Sequence, residues 1–394
     1  MLENLKVVEF ATMVAAPAAG GLLADWGAQV IKIEPHTGDP MRGGGGPLGS
    51  TNFDLHNRGK RSIALNMKAP ESRDVILRLV ERADLFITNV LPGQLEKLRL
   101  DYPHLARVNP RLVYGEISSF SRQGPDRDRP ATDNLGFWAR GGGTALLTVK
   151  GQDPLPIRQS VGDRITGLAA VVGMLAALLE ARETGKGRLV DTSLLRAAVW
   201  TFGTDVTNQL VRGRVGTSRG RREQVMPLAN YFKTKDGRWI QLHTSVEQLA
   251  RAVGYPELAE DPRWSDFQAA RQHAGELVDA VDAIFARFRY DEIAPRLEAG
   301  GVRWEPVQTT AELVEDPQAH AAGCFVDVPD ADTPGKLQRQ VASPPTFYDG
   351  ELPITPSLGK PPAIGEHTRE VLSELGYSDE EIDGLARTGA IPAG

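Results

Sequence analysis

The sequence predicts an α/β protein built on a doubly wound, mostly parallel β-sheet, and two observations support this prediction. First, a β-rich run at 6–10, a helical segment ending near Trp26 and a second β-rich run at 29–34 follow one another. This order within about 30 residues is the signature of a βαβ unit with parallel strands. Second, strand and helix patterns keep alternating up to residue 117. The chain has 394 residues, of which 41% are hydrophobic, and this is enough to bury a large core.

The elements after the first βαβ unit are predicted from hydrophobic periodicity and from the residues that end helices. In order, they are strand 61–65, helix 71–82, strand 84–88, helix 93–98 and strand 112–117. The longest apolar helix pattern runs from Arg164 to Arg182, and Gly185 follows it, as glycine commonly does after a helix. We expect a further strand at 188–191 and a helix at 194–203.

The chain is predicted to divide into two domains and a C-terminal segment. The large α/β domain spans 1–215. Beyond it, β-like runs flank 235–237 as in a hairpin and helix patterns follow, so 225–320 is assigned to a smaller α+β domain. The remaining residues, 321–394, form a C-terminal segment that is rich in loops and ends in a helix.

Composition and charge argue against several partners. The net charge is −6, so no strongly basic face is implied, and we expect neither a nucleic acid nor a membrane as a partner. No run reaches the roughly 18 apolar residues of a membrane span, because Asp25 interrupts the best N-terminal candidate, and no secretory signal is visible. The single cysteine, Cys324, cannot form an internal disulfide, which fits a reducing compartment. We therefore expect a soluble cytoplasmic protein.

Motifs for metals, nucleotides and serine nucleophiles are weak in this chain. The seven histidines are scattered and the one cysteine supplies no thiolate set, so no metal site is predicted. The small-residue stretch 11–21 lacks the G-x-G-x-x-G order of dinucleotide-binding loops, and no P-loop motif occurs. One G-x-S-x-G motif contains Ser218, but Arg- and Gly-rich sequence surrounds it where a nucleophile elbow needs a strand and a helix.

Asp163 lies where the most apolar helix of the chain begins, and its position has two interpretations. As an N-cap, its carboxylate would accept a hydrogen bond from an unpaired amide and stabilise the helix by about 1 kcal/mol. Alternatively, amides at the start of the helix would keep the carboxylate ionised and available as a nucleophile. Spacing alone favours the N-cap. Separately, a basic cluster at 57–61, followed by Lys68, could neutralise the phosphates of a nucleotide-like ligand.

The order of several motifs along nearly the whole chain resembles the family III CoA-transferases, also called the CaiB/BaiF family. These motifs lie at 5–10, 23–34, 57–68, 84–93, 109–114, 162–163, 184–187, 301–306, 365–368 and 371–372. The resemblance implies a Rossmann-like large domain, a small domain and a C-terminal segment that returns to the large domain. It also implies a homodimer in which two ring-shaped subunits are interlocked.

The resemblance further implies that Asp163 is the nucleophile of a CoA-transferase, which replaces the N-cap interpretation. Its carboxylate would attack the thioester of an acyl-CoA, giving a mixed anhydride and then an aspartyl-CoA thioester, and an incoming carboxylic acid would reverse both steps. Coenzyme A would be a substrate, and no tightly bound cofactor or metal is expected. By position in the family motifs, the CoA contacts are Val14, Ala15, Leu65, Asn66, Met67, Lys68, Asn89, Val90, Leu91, Lys97, Thr132 and Asp133. Of these, Lys68 and Lys97 are expected at the phosphates.

The sequence departs from related branches of the family in ways that bear on its reaction. The racemase branch has a His-Asp pair where Thr132 and Asp133 stand, and threonine is a poor base for proton exchange at an α-carbon. The formyl-CoA branch has a tetraglycine loop in its small domain, which this chain lacks there. That branch also has an arginine beside the adenine, where this chain has Pro35 followed by His36.

Two alternatives to CoA transfer stay open from the sequence. One is an acyl-CoA racemase or isomerase on the same scaffold, with Asp163 as a base, and the other is a non-catalytic CoA-binding protein. Aromatic side chains at Phe137, Trp138 and Trp200 would favour a bulky or apolar acyl group, although aromatic residues are more often part of a core. The sequence predicts neither the acyl donor nor the acceptor acid.

Overall fold

The computed structural model describes residues 1–43, 49–158, 160–330, 333, 335–354, 356 and 358–393. The chain forms two compact units, of which the first contains Met1–Ala145, Pro156–Arg214 and Ala321–Gly394, and the second contains Leu146–Leu155 and Val215–His320. Leu146–Leu155, which the sequence analysis placed in the large domain, groups with the second unit because Val149 forms a β-bridge with Ser218.

A parallel sheet of six strands forms the centre of the first unit in the described part of the chain. Its strands are β1 (Lys6–Phe10), β2 (Gln29–Glu34), β3 (Arg61–Ala64), β4 (Leu85–Thr88), β5 (Val113–Ser118) and β6 (Leu189–Ser193). They lie in the order β3-β2-β1-β4-β5-β6, and every neighbouring pair is parallel. The predicted α/β sheet is therefore confirmed. The strand order reverses between β1 and β4, and sheets of this kind bind ligands beyond the carboxyl ends of the strands at that point.

Helices cover both faces of this sheet. In chain order up to Arg212, the α-helices of the chain are α1 (Ala15–Asp25), α2 (Gly49–Asn57), α3 (Pro70–Glu81), α4 (Pro92–Leu98), α5 (Tyr102–Val108), α6 (Gly143–Leu147), α7 (Val161–Thr184), α8 (Leu194–Thr201) and α9 (Gly203–Arg212). On one face, α1 and α7 bury small side chains such as Ala16 of α1 and Ala170 of α7 against the sheet. On the other face, α3 and α5 contribute Ile76 and Leu105 to a second core.

Helix α7 packs closely against α1 in the core of the first unit. By length and composition, α7 could cross a membrane, although no run of this kind was expected. The uncharged stretch 165–179 of α7 is shorter than the roughly 18 apolar residues of a span, because Arg164 and Glu180 bound it, and it contains several glycine and alanine residues. These small residues serve packing: a Cβ atom on Gly167 would lie 2.7 Å from the carbonyl oxygen of Ala15 in α1. Met174 and Leu178 of α7 are buried in the same core, and core helices satisfy the same length and composition test.

The second unit has its own sheet and its own core. An antiparallel sheet contains β7 (Ala229–Lys233), β8 (Trp239–His243) and β9 (Arg303–Pro306), and β7 and β8 form the hairpin predicted around 235–237. The α-helices that follow are α10 (Val246–Val253), α11 (Glu257–Glu260), α12 (Phe267–Gln272), α13 (Ala274–Phe285), α14 (Tyr290–Ala299), α15 (Thr310–Leu313) and α16 (Pro317–Ala321). Phe232 and Leu242 of the sheet pack with Leu249 and Phe285 of the helices, and all four side chains are fully buried.

The C-terminal segment packs within the first unit. It contains two antiparallel pairs, β10 (Phe325–Pro329) with β11 (Leu337–Val341) and β12 (Tyr348–Asp349) with β13 (Leu352–Pro353), followed by α17 (Thr368–Glu374) and α18 (Asp379–Arg387). Val371 and Ile382 are buried in the core that α3 covers. The backbone amide of His367 donates to the carbonyl of Ser62 in β3 at 2.9 Å, which ties the segment to the edge of the central sheet.

Candidate active site

A cavity of about 330 Å³ lies beyond the carboxyl ends of β1, β4 and β5, and we call it the Asp163 cavity. Of the residues that the sequence predicted for the site, eight line it. Val14 and Ala15 follow β1, and Asn89, Val90 and Leu91 follow β4. Thr132, Asp133 and Asp163 complete the set. The structure therefore brings these eight residues together at the point where the strand order reverses.

The other predicted CoA contacts do not line the Asp163 cavity. Leu65 is only 1% exposed and belongs to the core, so its side chain is not available to a ligand. The side-chain amide of Asn66 donates to the carbonyl oxygen of Gly389, and Met67 packs against the same core as Leu65. Lys68 and Lys97 are exposed outside the cavity. These five positions came from motif matching, which does not report how deeply a side chain is buried.

The loop after β1 is held in place by side chains from two other loops. The amide of Thr12 donates to Oδ1 of Asn89 at 3.1 Å, and Nδ2 of Asn89 donates to the Thr12 carbonyl at 2.6 Å. The amide of Met13 donates to Oδ1 of Asp39 at 3.2 Å. Met13 has φ of 69°, in the left-handed region that residues with a side chain seldom adopt. The contacts from Asn89 and Asp39 thus hold a strained backbone at the wall of the cavity.

A buried network of charges supports this loop. Lys32 is fully buried, and its ammonium group lies 3.1 Å from Oε1 of Glu9 and 2.9 Å from Oδ2 of Asp39. Lys60 lies 2.6 Å from the other carboxylate oxygen of Glu9. Burial alone would lower the pKa of Lys32, but Glu9 and Asp39 raise it above its usual value. Asp39 therefore connects Lys32 to the loop that lines the cavity.

Asp163 is the third residue of α7, and its partly buried carboxyl group lines the cavity. The N-cap position belongs to Ser160, so the N-cap interpretation of Asp163 is wrong. Burial and, after it, the neighbouring carboxylate of Asp133 raise the pKa of Asp163 to about 7, and the charge of Arg164 opposes this increase. The expectation that helix amides keep the carboxylate ionised is therefore not met, because burial and Asp133 have the larger effects.

Two charged side chains flank Asp163. Oδ1 of Asp133 accepts a hydrogen bond from the backbone amide of Asp163 at 2.9 Å. Arg164 donates from Nε to Nε2 of His56 at 3.2 Å and from Nη2 to Oδ1 of Asn52 at 3.4 Å. Burial and the charge of Arg164 lower the pKa of His56 to about 3, so this histidine is neutral. Its Nε2 then accepts from Arg164, and its Nδ1 donates to the carbonyl of Asn52 at 2.8 Å.

Some residues of the site were missed by sequence reasoning. Asn52 and Met41 line the cavity, and both come from the connection between β2 and β3, where no strong motif was found. Arg164 directly follows Asp163 in the sequence, so adjacency to the candidate nucleophile was a signal that could have identified it.

The aromatic residues that suggested a bulky acyl group do not form this site. Phe137 is fully buried, Trp200 is 85% exposed, and neither they nor Trp138 lines the Asp163 cavity. Ser218 belongs to the second unit, where a short 3₁₀-helix at Arg221–Glu223 follows it instead of the α-helix of a nucleophile elbow. Within the described ranges, no three His, Cys, Asp or Glu side chains are arranged to hold a metal ion.

Comparison with known proteins agrees with the motif pattern of the sequence. Residues 2–368 match the model of CoA-transferase family III. The chain is similar to (R)-2-hydroxy-4-methylpentanoate CoA-transferase of Clostridioides difficile, with 34% identity over 97% of this chain and 97% of that protein. It is also similar to cinnamoyl-CoA:phenyllactate CoA-transferase of Clostridium sporogenes, with 31% identity over 98% of this chain and 96% of that protein. Its fold is similar to the crystal structure of a CAIB/BAIF family protein from Brucella suis, with a TM-score of 0.84 and 29% identity over 95% of this chain and 99% of that one.

Proposed function

Because the chain belongs to the family III CoA-transferases and is an enzyme of that family, we propose that its Asp163 carries the acyl group during CoA transfer. The observation that supports this proposal best is the position of the Asp163 carboxyl group in the cavity at the switch point of the sheet. Asp163 lies in the first turn of α7, where the positive end of the helix dipole stabilises negative charge. A pKa of about 7 leaves a substantial ionised fraction at neutral pH and makes that carboxylate more basic than an exposed aspartate.

The proposed reaction conserves the energy of the thioester in four steps. The Asp163 carboxylate attacks the acyl-CoA carbonyl, the C–S bond breaks, and CoA thiolate leaves a mixed anhydride behind. The thiolate then attacks the aspartyl carbonyl, which forms an aspartyl-CoA thioester and releases the first acid as its carboxylate. The acceptor carboxylate attacks this thioester, forming a second anhydride and freeing the thiolate again. Attack of the thiolate on the new acyl carbonyl gives the product acyl-CoA and restores the Asp163 carboxylate.

The thioester end of CoA is proposed to lie in the Asp163 cavity. Val14 and Ala15 on one wall, and Asn89, Val90 and Leu91 on the other, would contact the pantetheine arm. CoA is larger than this cavity, so its phosphates would extend beyond it, where Lys68 and Lys97 are exposed cations.

The experiment that tests this function traps the activated aspartate. The enzyme is mixed with succinyl-CoA, acetyl-CoA or a longer acyl-CoA without an acceptor acid, and hydroxylamine is then added. We expect mass spectrometry to find a hydroxamate on the peptide that contains Asp163, and none in Asp163→Asn. Asp379→Asn is the matched control, because Asp379 also lies in the first turn of a helix but is exposed and distant in sequence. Full thioester exchange by Asp163→Asn would contradict the proposal.

We propose that the acids exchanged by the enzyme are 2-hydroxy carboxylic acids. The name of one relative contains (R)-2-hydroxy-4-methylpentanoate, and that of another contains phenyllactate. A mass-spectrometric screen would offer these acids, together with unsubstituted acids of equal length, to the enzyme and an acyl-CoA donor. Preference for the unsubstituted acids would contradict this choice of class.

Racemisation of an acyl-CoA is the second candidate, because a carboxyl group with a pKa of about 7 also suits a general base. A racemase needs a second group that exchanges the proton, and Thr132, which lines the cavity, is a poor acid and base. We therefore expect no deuterium incorporation at the α-carbon of an acyl-CoA in heavy water without an acceptor acid. Rapid incorporation would favour the racemase.

We also propose that the enzyme is a homodimer with interlocked subunits, as its resemblance to the family implies. Large apolar side chains of α8 and α9 support this proposal, since Trp200 is 85% exposed and Leu210 is 80% exposed. α9 buries none of its residues within the chain. A second copy that covers this surface would remove it from water. The cytoplasmic compartment stays a prediction.

A further inference from the structure

We propose that Asp133 is a positioning residue, whose buried carboxylate holds the first turn of α7 and thereby places Asp163 in the cavity. This inference rests on the proposed role of Asp163 as the acyl carrier. It differs from the sequence prediction, in which Asp133 contacts CoA at the thioester end.

The start of α7 lacks a cap of its own. The first amides of a helix have no partner within the helix and are commonly satisfied by the side chain of the N-cap residue. Here the N-cap is Ser160, which has φ of 72° and whose side chain makes no capping hydrogen bond. The carboxylate of Asp133, 30 residues earlier than Asp163, accepts the Asp163 amide at 2.9 Å instead. Asp133 therefore provides, from another part of the chain, the cap that α7 lacks.

The residues around the hydrogen bond between Asp133 and the Asp163 amide pack closely together. Asp133 is only 3% exposed, and the π-helix Asn134–Ala139 follows it directly. A Cβ atom on Gly162 would lie 2.5 Å from Oδ1 of Asp133 and 2.2 Å from Cγ of Phe137. Only glycine at position 162 lets these groups approach the first turn of α7 so closely. The first turn of α7, which carries Asp163, is thus held closely against Asp133 and Phe137.

The second carboxylate oxygen of Asp133 indicates that this side chain does more than cap α7. Oδ2 is buried and has no hydrogen-bond partner within the described residues, and Asp133 lines the same cavity as Asp163. Burial raises the pKa of Asp133, and backbone hydrogen bonds from the first turn of α7 oppose this increase and favour the charged form. In the protein interior this charge acts strongly on a nearby carboxyl group. After burial, the charge of Asp133 is the largest effect that raises the pKa of Asp163, and Arg164 on α7 acts in the opposite direction. Asp133 therefore affects both the position and the basicity of the nucleophile.

The test separates position from charge with two variants. Asp133→Asn keeps an oxygen that can accept the Asp163 amide but removes the negative charge. We expect it to fold and to acylate Asp163, while the acidic limb of the kcat/KM pH profile moves to lower pH because the pKa of Asp163 falls. Asp133→Ala removes both functions, and we expect kcat to fall about 100-fold, the loss that a misplaced reacting group produces. The KM for acyl-CoA should change by less than about threefold in both variants.

A matched control removes a helix cap elsewhere in the first unit. The hydroxyl of Ser378 accepts the Glu381 amide at the start of α18, so Ser378→Ala loses a cap without affecting the cavity. We expect Ser378→Ala to lower the melting temperature while its pH profile stays that of the unaltered enzyme. If Asp133 had a purely structural role, Asp133→Asn would likewise lower the melting temperature and leave the pH profile unchanged.

Other outcomes would overturn the inference about Asp133 or contradict the proposed function. A raised KM with unchanged kcat in both Asp133 variants would overturn the inference and favour direct contact with CoA. An unshifted pH profile in Asp133→Asn, or full activity in Asp133→Ala, would also overturn it. If Asp133→Ala fails to fold, Asp133→Asn alone decides through its pH profile. Hydroxylamine trapping on a residue other than Asp163 in the unaltered enzyme would instead contradict the proposed function.

Discussion

Asn89 binds both backbone polar groups of Thr12, so the loop after β4 holds the loop after β1 through one side chain. Both loops line the Asp163 cavity, and the two strands that precede them are neighbours in the sheet. The side-chain amide of Asn89 is therefore engaged with the protein, and its contact with CoA stays a prediction.

Asn89→Ala should weaken substrate binding by releasing the loop after β1. We expect the KM for acyl-CoA to rise about tenfold, because the loss of two hydrogen bonds frees a strained backbone at the wall of the cavity. Steady-state kinetics with varied acyl-CoA measures this. The control is Asn109→Ala, because Nδ2 of Asn109 also donates to two backbone carbonyls, those of Val80 and Ala83, outside the cavity. An equal increase of KM in both variants would show that general loosening of the fold is responsible.

Arg164 should determine the pH at which the nucleophile ionises. Its positive charge favours the ionised form of Asp163, so Arg164→Gln raises the pKa of this carboxyl group above about 7. The acidic limb of the kcat/KM profile should then move to higher pH, with activity reduced near neutrality and nearly restored at alkaline pH. Arg182→Gln changes an exposed arginine in the last turn of the same helix and should leave the profile unchanged. A shift of the limb to lower pH in Arg164→Gln would contradict this account.

How much of the fold the sequence reveals depends on how each element is stabilised. β1 to β5 could be predicted, because buried parallel strands are continuous runs of apolar and β-branched residues. Helix α2 was not predicted, since Gly49–Asn57 contains few apolar residues and shows no clear helical periodicity. The predicted helix at 194–203 corresponds to α8, which ends at Thr201 because Phe202 leaves the helical conformation, and α9 beyond it was not predicted. The local sequence gives only a weak signal for such an interruption of a helix.

The candidate site shows the same limit for individual residues. Asp163 could be identified because a family motif surrounds it, but its contact with Asp133 depends on packing between segments 30 residues apart. Leu65 and Val14 both matched the family motifs, yet the first lies in the core and the second lines the cavity. Burial of this kind follows from tertiary packing, which a motif in one sequence does not report.

Lys32 should be essential for stability, because it compensates two buried carboxylates. Lys32→Met leaves Glu9 and Asp39 buried without this partner, and we expect the free energy of unfolding to fall by about 3–5 kcal/mol. Urea denaturation followed by circular dichroism measures this loss. Arg61→Gln is the control, since Arg61 pairs with Glu374 at the surface, and its loss should cost about 1 kcal/mol or less. Equal losses in the two variants would argue that the buried network is no more important than a surface ion pair.

The apolar surface of α8 and α9 should be the contact between two copies of the chain. Trp200, Leu210 and Val211 are 85%, 80% and 76% exposed, and burying three such side chains would stabilise association by several kcal/mol, about 1.5–3 kcal/mol each. Replacing Trp200 and Leu210 together by serine removes most of this gain, so fewer chains should assemble into dimers during folding, and a monomeric fraction should appear where the unaltered enzyme is dimeric. Light scattering coupled to size-exclusion chromatography measures both masses. Phe267→Ser, which changes an exposed aromatic residue of the second unit, should keep the dimeric mass. If the unaltered enzyme has the mass of a monomer at micromolar concentration, the homodimer proposal is contradicted. The apolar surface of α8 and α9 is then not covered by a second copy.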